Sequence, residues 1–220
     1  MNNITIYVSR TTSDKENKFV SYEINTGHEE ATVLEALQTI QEEIDPTLAF
    51  RYGCRFKQCG LCAMKIDGRP LMACMTKIKD GMTIEPLDKI PIEKDVIVER
   101  KFILEKTRTY KLYRENPFRE KTAEINLPYE ILNRCTDCQS CLSLCSNFHI
   151  EKMDEFAGPL FFVKLAQLQF HPLNETDYTQ KAEEMGVEKC ADCTCRCPYG
   201  IPIKKLAIEP FINKLKEIKE

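Results

Sequence analysis

The sequence predicts an α+β chain in two parts, a strand-bearing domain over residues 1–100 and a mainly helical domain over residues 101–220. Three observations carry this. Period-two alternation of apolar and polar residues marks the first part and fades in the second. A highly charged, helix-like stretch, "ERKFILEKTRTYKLYREN", separates them and runs to Pro117. Twelve cysteines fall into three groups of four, one group in the first part and two in the second. A chain of 220 residues is long enough for two small domains, each with a core of its own.

"NITIYVSR" and "KFVSYEINTG" both alternate, which predicts two strands of one hairpin joined by the polar "TTSDKEN". "TVLEALQTIQEEIDP" then reads as a helix. Thr32 and Glu35 have capping-box spacing, Val33, Leu37, Ile40 and Ile44 share one face, and Asp45-Pro46 is the stop. "CAMKIDGRPLMAC" reads as strand, Asp-Gly turn, strand, and returns the chain to Cys74. At the far end, "KKLAIEPFINKLKEIKE" puts Ile208, Phe211, Ile212, Leu215 and Ile218 on one apolar stripe, with Pro210 either starting a new helix or kinking an old one.

Composition excludes several classes. A net charge of -3 and a pI near 5.8 leave no electrostatic footprint for nucleic acid. The longest apolar stretch, "GPLFFVKLAQLQF", falls short of the roughly 20 apolar residues of a spanning helix. "MNNITIYVSR" lacks the basic, apolar and small-residue regions of a signal peptide, so a cytoplasmic protein is expected. In that reducing compartment disulfide frameworks are rare, and clustered cysteines bind metal or do redox chemistry.

Cys54, Cys59 and Cys62 have the spacing C-x4-C-x2-C, with Cys74 as a distant fourth. This is the plant-type 2Fe-2S ferredoxin pattern; a zinc site takes its ligands as two short knuckles, which the x4 gap and isolated Cys74 do not supply. "CTDCQSCLSLC" has the bacterial ferredoxin spacing, in which three cysteines of a run bind one 4Fe-4S cluster and the fourth binds another. Crossing over to "CADCTCRCP" assigns Cys135, Cys138, Cys141 and Cys197 to a 4Fe-4S cluster. Cys145, Cys190 and Cys193 then hold a third cluster, and Cys195 decides whether it is 4Fe-4S or 3Fe-4S. In an extended segment Cys195 would point away from Cys193 and Cys197. His28, His149 and His171 stand alone and read as ordinary polar residues. No carboxylate pair or phosphate loop suggests bond chemistry in this chain.

The order of these motifs resembles the iron-sulfur subunit of the succinate dehydrogenase and fumarate reductase family over nearly the whole chain. The likeness rests on "FRYGCRFKQCGLCAMKIDGRPLMAC", "TIEPLDKIPIEKDVIVE", "GPLFFVKL" and "CPYGIPIKKLAI". It implies a 2Fe-2S ferredoxin-like β-grasp domain, then an all-α bacterial-ferredoxin-like domain. It further implies an electron relay between an FAD flavoprotein, where succinate and fumarate interconvert, and a quinone-linked membrane anchor. The chain would then lie peripherally on the cytoplasmic face of the membrane, through partner subunits.

Three departures stand out. Lys57 replaces a glycine usual in the family, so the first cysteine loop is expected to run differently, because lysine resists φ > 0. Ser146 and His149 replace a proline and a tryptophan of the family's quinone site. Val187 sits where the first ligand of the last motif usually falls, while Cys190 and Cys195 are extra. Two other readings stay open: the same relay linked to thiol and disulfide chemistry through a separate subunit with a CCG motif, and a non-redox binding protein held together by zinc.

Overall fold

The computed structural model describes residues 3–14, 16–25, 27, 30–114, 123–192 and 194–220. Its contacts divide the chain into two compact units, Met1–Glu99 with Cys138–Ser143, and Arg100–Asp137 with Leu144–Glu220.

The first unit is built on a five-stranded sheet. Strands β1 (Asn3–Thr11) and β2 (Asn17–Asn25) form the expected antiparallel hairpin, with Asn3 opposite Asn25 and Thr11 opposite Asn17. Strands β3 (Ala63–Ile66) and β4 (Arg69–Met72) flank the Asp67-Gly68 turn. Strand β5 (Thr83–Glu85) joins the two hairpins, parallel to β1 and antiparallel to β3, for a strand order β2-β1-β5-β3-β4. A second small ribbon pairs β6 (Ile92–Lys94) with β7 (Ile97–Val98). β5, β6 and β7 are too short to leave an alternation signal. The charged stretch begins just after β7 and is helical over Lys101–Thr109.

Helix α1 (Val33–Thr39) carries the predicted capping box, with Thr32 and Glu35 satisfying each other's backbone N–H groups. It continues as a π-helical turn over Ile40–Ile44, closed by Asp45 N–H donating to the Ile40 carbonyl. The wider turn rotates whatever follows it off the buried face. Val33, Leu37 and Ile40 are buried as expected, but Ile44 is 49% exposed. Ile6, Val8, Ile24, Met64, Ile66 and Ile84 complete the core of this unit.

The second unit is helical, with no strand among its described residues. Its helices are α2 (Lys101–Thr109), α3 (Leu127–Leu132), α5 (Pro159–Gln169), α6 (Thr179–Glu184) and α7 (Glu209–Lys219), while the five-residue α4 (Ser140–Leu144) lies in the first unit except for Leu144. Pro117 lies outside the described residues. The "GPLFFVKL" stretch becomes α5, a short helix buried nearly all round, and among the described residues no helix is long and apolar enough to cross a membrane. Phe161 packs against Phe102 and against the edge of Tyr110, whose hydroxyl donates to the Met153 carbonyl at 2.6 Å. Pro210 opens α7 after a π-helical turn over Lys204–Ile208. Ile208, Phe211 and Leu215 bury the predicted stripe, while Ile218, in the last turn, is exposed.

Candidate iron-sulfur centres

The first cysteine group sits where the β3–β4 hairpin meets an irregular loop. Cys62 immediately precedes β3, and Cys74 lies in a 3-10 turn, Ala73–Met75, just after β4. Because Ala63 pairs with Met72, the ladder brings these two cysteines to one end of the hairpin, and Ala73 N–H donates to the Cys62 carbonyl at 3.0 Å. Both are buried, and burial pushes the Cys62 thiol up to about 12, with Cys74 and Cys59 close by adding to the shift.

Cys54 and Cys59 belong to the loop, which curls by placing Arg55 (φ 61), Lys57 (φ 60) and Gly60 (φ 68) in the left-handed region. Lys57 thus takes a conformation that favours glycine, at a cost of about 1–2 kcal/mol. The curl turns backbone donors inward. Gln58 N–H and Cys59 N–H donate to the Cys54 sulfur at 3.0 and 3.2 Å, and Cys54 N–H to the Cys59 sulfur at 3.5 Å. Desolvation pushes the Cys54 thiol up, yet the backbone donors of Phe56, Gln58 and Cys59 together outweigh it and bring the thiol down to about 7. A Cβ on Gly53 would lie 3.3 Å from the Cys59 sulfur, so this wall is already close-packed. A loop that stabilises thiolates with amides, beside two thiols at a hairpin end, suits an anionic four-thiolate cluster.

In the second group, Cys135 follows α3, with its N–H donating to the Leu132 carbonyl at 3.1 Å. Its thiol faces Asp137 Oδ1 at 3.9 Å. Asp137 is pinned from two sides, by Arg100 donating to its carbonyl at 2.9 Å and by Lys164 of α5 ion-paired at 2.7 Å. Cys138 is buried and its thiol meets Ser140 Oγ at 3.4 Å; Cys141 is buried in the first turn of α4. Gln139 between them is fully buried at φ 68 and donates to the Glu99 carbonyl at 2.8 Å. Cys197 is half-buried, its carbonyl accepting from Gly200 N–H at 3.0 Å. Arg100, Thr136, Gln139 and Lys164 were not singled out by sequence, and only the positions of Thr136 and Gln139 between ligand cysteines could have drawn notice.

In the third group Cys145 and Cys195 are half-buried, and Cys190 is buried at the end of a 3-10 turn, Val187–Cys190. Lys204 donates to the Cys190 carbonyl at 2.5 Å and also to that of Ala191. Cys193 lies outside the described residues, as does His28. Among the described residues no three Cys, His, Asp or Glu side chains form a group that would hold a single metal ion. His171 stacks edge-on to Tyr129 and accepts from Leu173 N–H, an ordinary structural role.

Residues 3–105 match the family model for a 2Fe-2S iron-sulfur cluster binding domain. Two archaeal relatives align with most of the chain. An uncharacterized iron-sulfur protein of Methanocaldococcus jannaschii is 36% identical, over 94% of this chain and 42% of its own length. One of the subunits of the CoM/CoB fumarate reductase of Methanothermobacter marburgensis is 34% identical, over 89% of this chain and 40% of its own length. This chain therefore spans less than half the length of these relatives. A chain of the Mycobacterium smegmatis Sdh1 complex superposes with a TM-score of 0.84 at 27% identity, covering 99% of this chain and 97% of that one. The first unit thus carries a 2Fe-2S cluster binding domain, and the whole chain is similar to iron-sulfur subunits of succinate dehydrogenases and fumarate reductases.

The second unit carries a further local feature. Ser146 and His149 line a cavity of about 410 Å³ together with Asn147, Lys152, Glu155, Phe156 and Lys189. Apart from Phe156 the lining is polar or charged, and Lys189 stands 3.6 Å from Glu155.

Proposed function

We propose that this chain is the electron-relay subunit of a succinate dehydrogenase or fumarate reductase type complex. It would pass electrons between an FAD flavoprotein and a second redox partner. The observation that carries this is the superposition on the Sdh1 chain across 99% of the residues, supported by the 2Fe-2S domain match. The first unit acts as a β-grasp ferredoxin domain and the helical remainder as a bacterial-ferredoxin domain. Cys54, Cys59, Cys62 and Cys74 hold a 2Fe-2S cluster. Cys135, Cys138, Cys141 and Cys197 hold a 4Fe-4S cluster. Cys145, Cys190 and Cys193 hold the third, as 3Fe-4S or, with Cys195, as 4Fe-4S. When bound, such clusters supply one-electron steps. The chain's own part is to position the thiolates and set their surroundings; around Cys54 the amides of Gln58 and Cys59 offset negative charge. The sequence offers no acid-base pair to act on a dicarboxylate, so turnover requires the flavoprotein.

A quinone-linked membrane anchor is the second partner that family resemblance suggests. A thiol-linked route is favoured by two observations: the relative named for CoM/CoB fumarate reductase, and the polar lining where the family's quinone-site tryptophan would stand. Purified alone with its iron, the chain should reduce no fumarate with a reduced viologen dye, and should gain this activity with the flavoprotein. Turnover by the single chain overturns the relay reading. In the assembled complex, fumarate reduction driven by dithiols but not by quinols supports the thiol route, and the reverse supports the anchor.

A further inference from the structure

Four buried side-chain polar atoms among the described residues have no hydrogen-bond partner, and two of them, Thr136 Oγ1 and Gln139 Oε1, lie between cysteines of the second group. The residues on either side of Thr136 make bonds of their own. Cys135 N–H is bonded to Leu132, and Asp137 is bonded to Arg100 through its carbonyl and to Lys164 through its carboxylate. A buried hydroxyl left without a partner costs stability, and valine would have the same shape without that cost. What Thr136 lacks is therefore a hydrogen-bond partner, not packing. Of the two orphans, only the threonine hydroxyl can donate to a sulfur; Gln139 Oε1 is solely an acceptor.

We propose that the Thr136 hydroxyl donates a hydrogen bond to a sulfur of the 4Fe-4S cluster that Cys135 ligates, and so raises that cluster's reduction potential. The inference rests on the ligand assignment made above. Reduction adds an electron to the cluster and makes its sulfurs better acceptors, so a donor bonded to them favours the reduced form. Thr136 ligates no iron, and its removal leaves all four thiolates in place.

The test is redox titration of the purified, iron-loaded chain, followed by electron paramagnetic resonance of the reduced 4Fe-4S signal. In Thr136→Val the signal should keep its intensity while the reduced-to-oxidised ratio at the wild-type midpoint falls about tenfold, which for a one-electron couple is about 59 mV. Thr136→Ser, which keeps the hydroxyl, should titrate like wild type. A wild-type midpoint in Thr136→Val overturns the proposal. In the wild-type chain itself, the reduced cluster should couple to an exchangeable proton that vanishes in deuterated water. Absence of that coupling overturns the proposal even if the valine variant does not fold. Absence of any 4Fe-4S signal from the wild-type chain removes the ligand assignment beneath it, and this inference with it.

Discussion

Replacing Gly186 by alanine places a methyl group where the backbone leaves no room. Gly186 lies at φ 79 and ψ 33, a left-handed conformation that costs alanine about 1–2 kcal/mol. Its new Cβ would stand 2.5 Å from the Glu155 carbonyl oxygen and 3.3 Å from Phe156 Cα. Both are main-chain atoms, so no side-chain rotation relieves the contact. The segments are also tied together, by Ala157 N–H donating to the Met185 carbonyl at 3.0 Å. Forcing them apart resembles overpacking a core, at about 1–3 kcal/mol. Alanine recovers about 0.4–1 kcal/mol by restricting the unfolded chain. The net loss is about 1–4.5 kcal/mol, and at about 2–4 °C per kcal/mol for a chain of this size the apparent midpoint should fall by about 2–18 °C. Circular dichroism melts of the anaerobic, iron-loaded protein at one fixed scan rate measure this. Gly186 also opens the turn that ends at Cys190, so iron in the third group should fall alongside. A midpoint within about 2 °C of wild type would refute the steric argument, since that is a loss of no more than about 1 kcal/mol.

Lys57→Gly should relieve left-handed strain of about 1–2 kcal/mol against an unfolded-state penalty of about 0.5–1 kcal/mol, for a small net gain in thermal midpoint; a lower midpoint would contradict it. In the cluster-free chain the Cys54 thiol, brought down to about 7 by backbone donors, should be half thiolate near neutral pH. It should alkylate faster as pH rises through 7, while Cys62, pushed up to about 12, stays inert. Mass spectrometry of iodoacetamide adducts between pH 6 and 9 reads the order, and labelling of Cys62 first would contradict it. Cys195→Ser should lower iron by about one atom per chain or convert the third cluster to a three-iron signal. Unchanged iron and an unchanged spectrum would make Cys195 a spectator.

Sequence alone determined what spacing and periodicity encode. The β1–β2 and β3–β4 hairpins, the Thr32–Glu35 capping box and the helical character of the second half follow from local alternation, turn residues and caps. Each is a relation between residues close along the chain, where geometry follows directly from chain connectivity. Tertiary structure decided what depends on neighbours distant in sequence. β5 has only three residues and is a strand because β1 and β3 bracket it. The π-helical turn that exposes Ile44 leaves no mark in a pattern of apolar residues, since a single added residue per turn changes phase, not composition. Lys57 adopts φ 60 because the cysteine loop needs that bend to aim its amides, overriding the residue's own preference. The orphaned hydroxyl of Thr136 is likewise invisible to spacing, because only the folded surroundings show which of its bonds are missing.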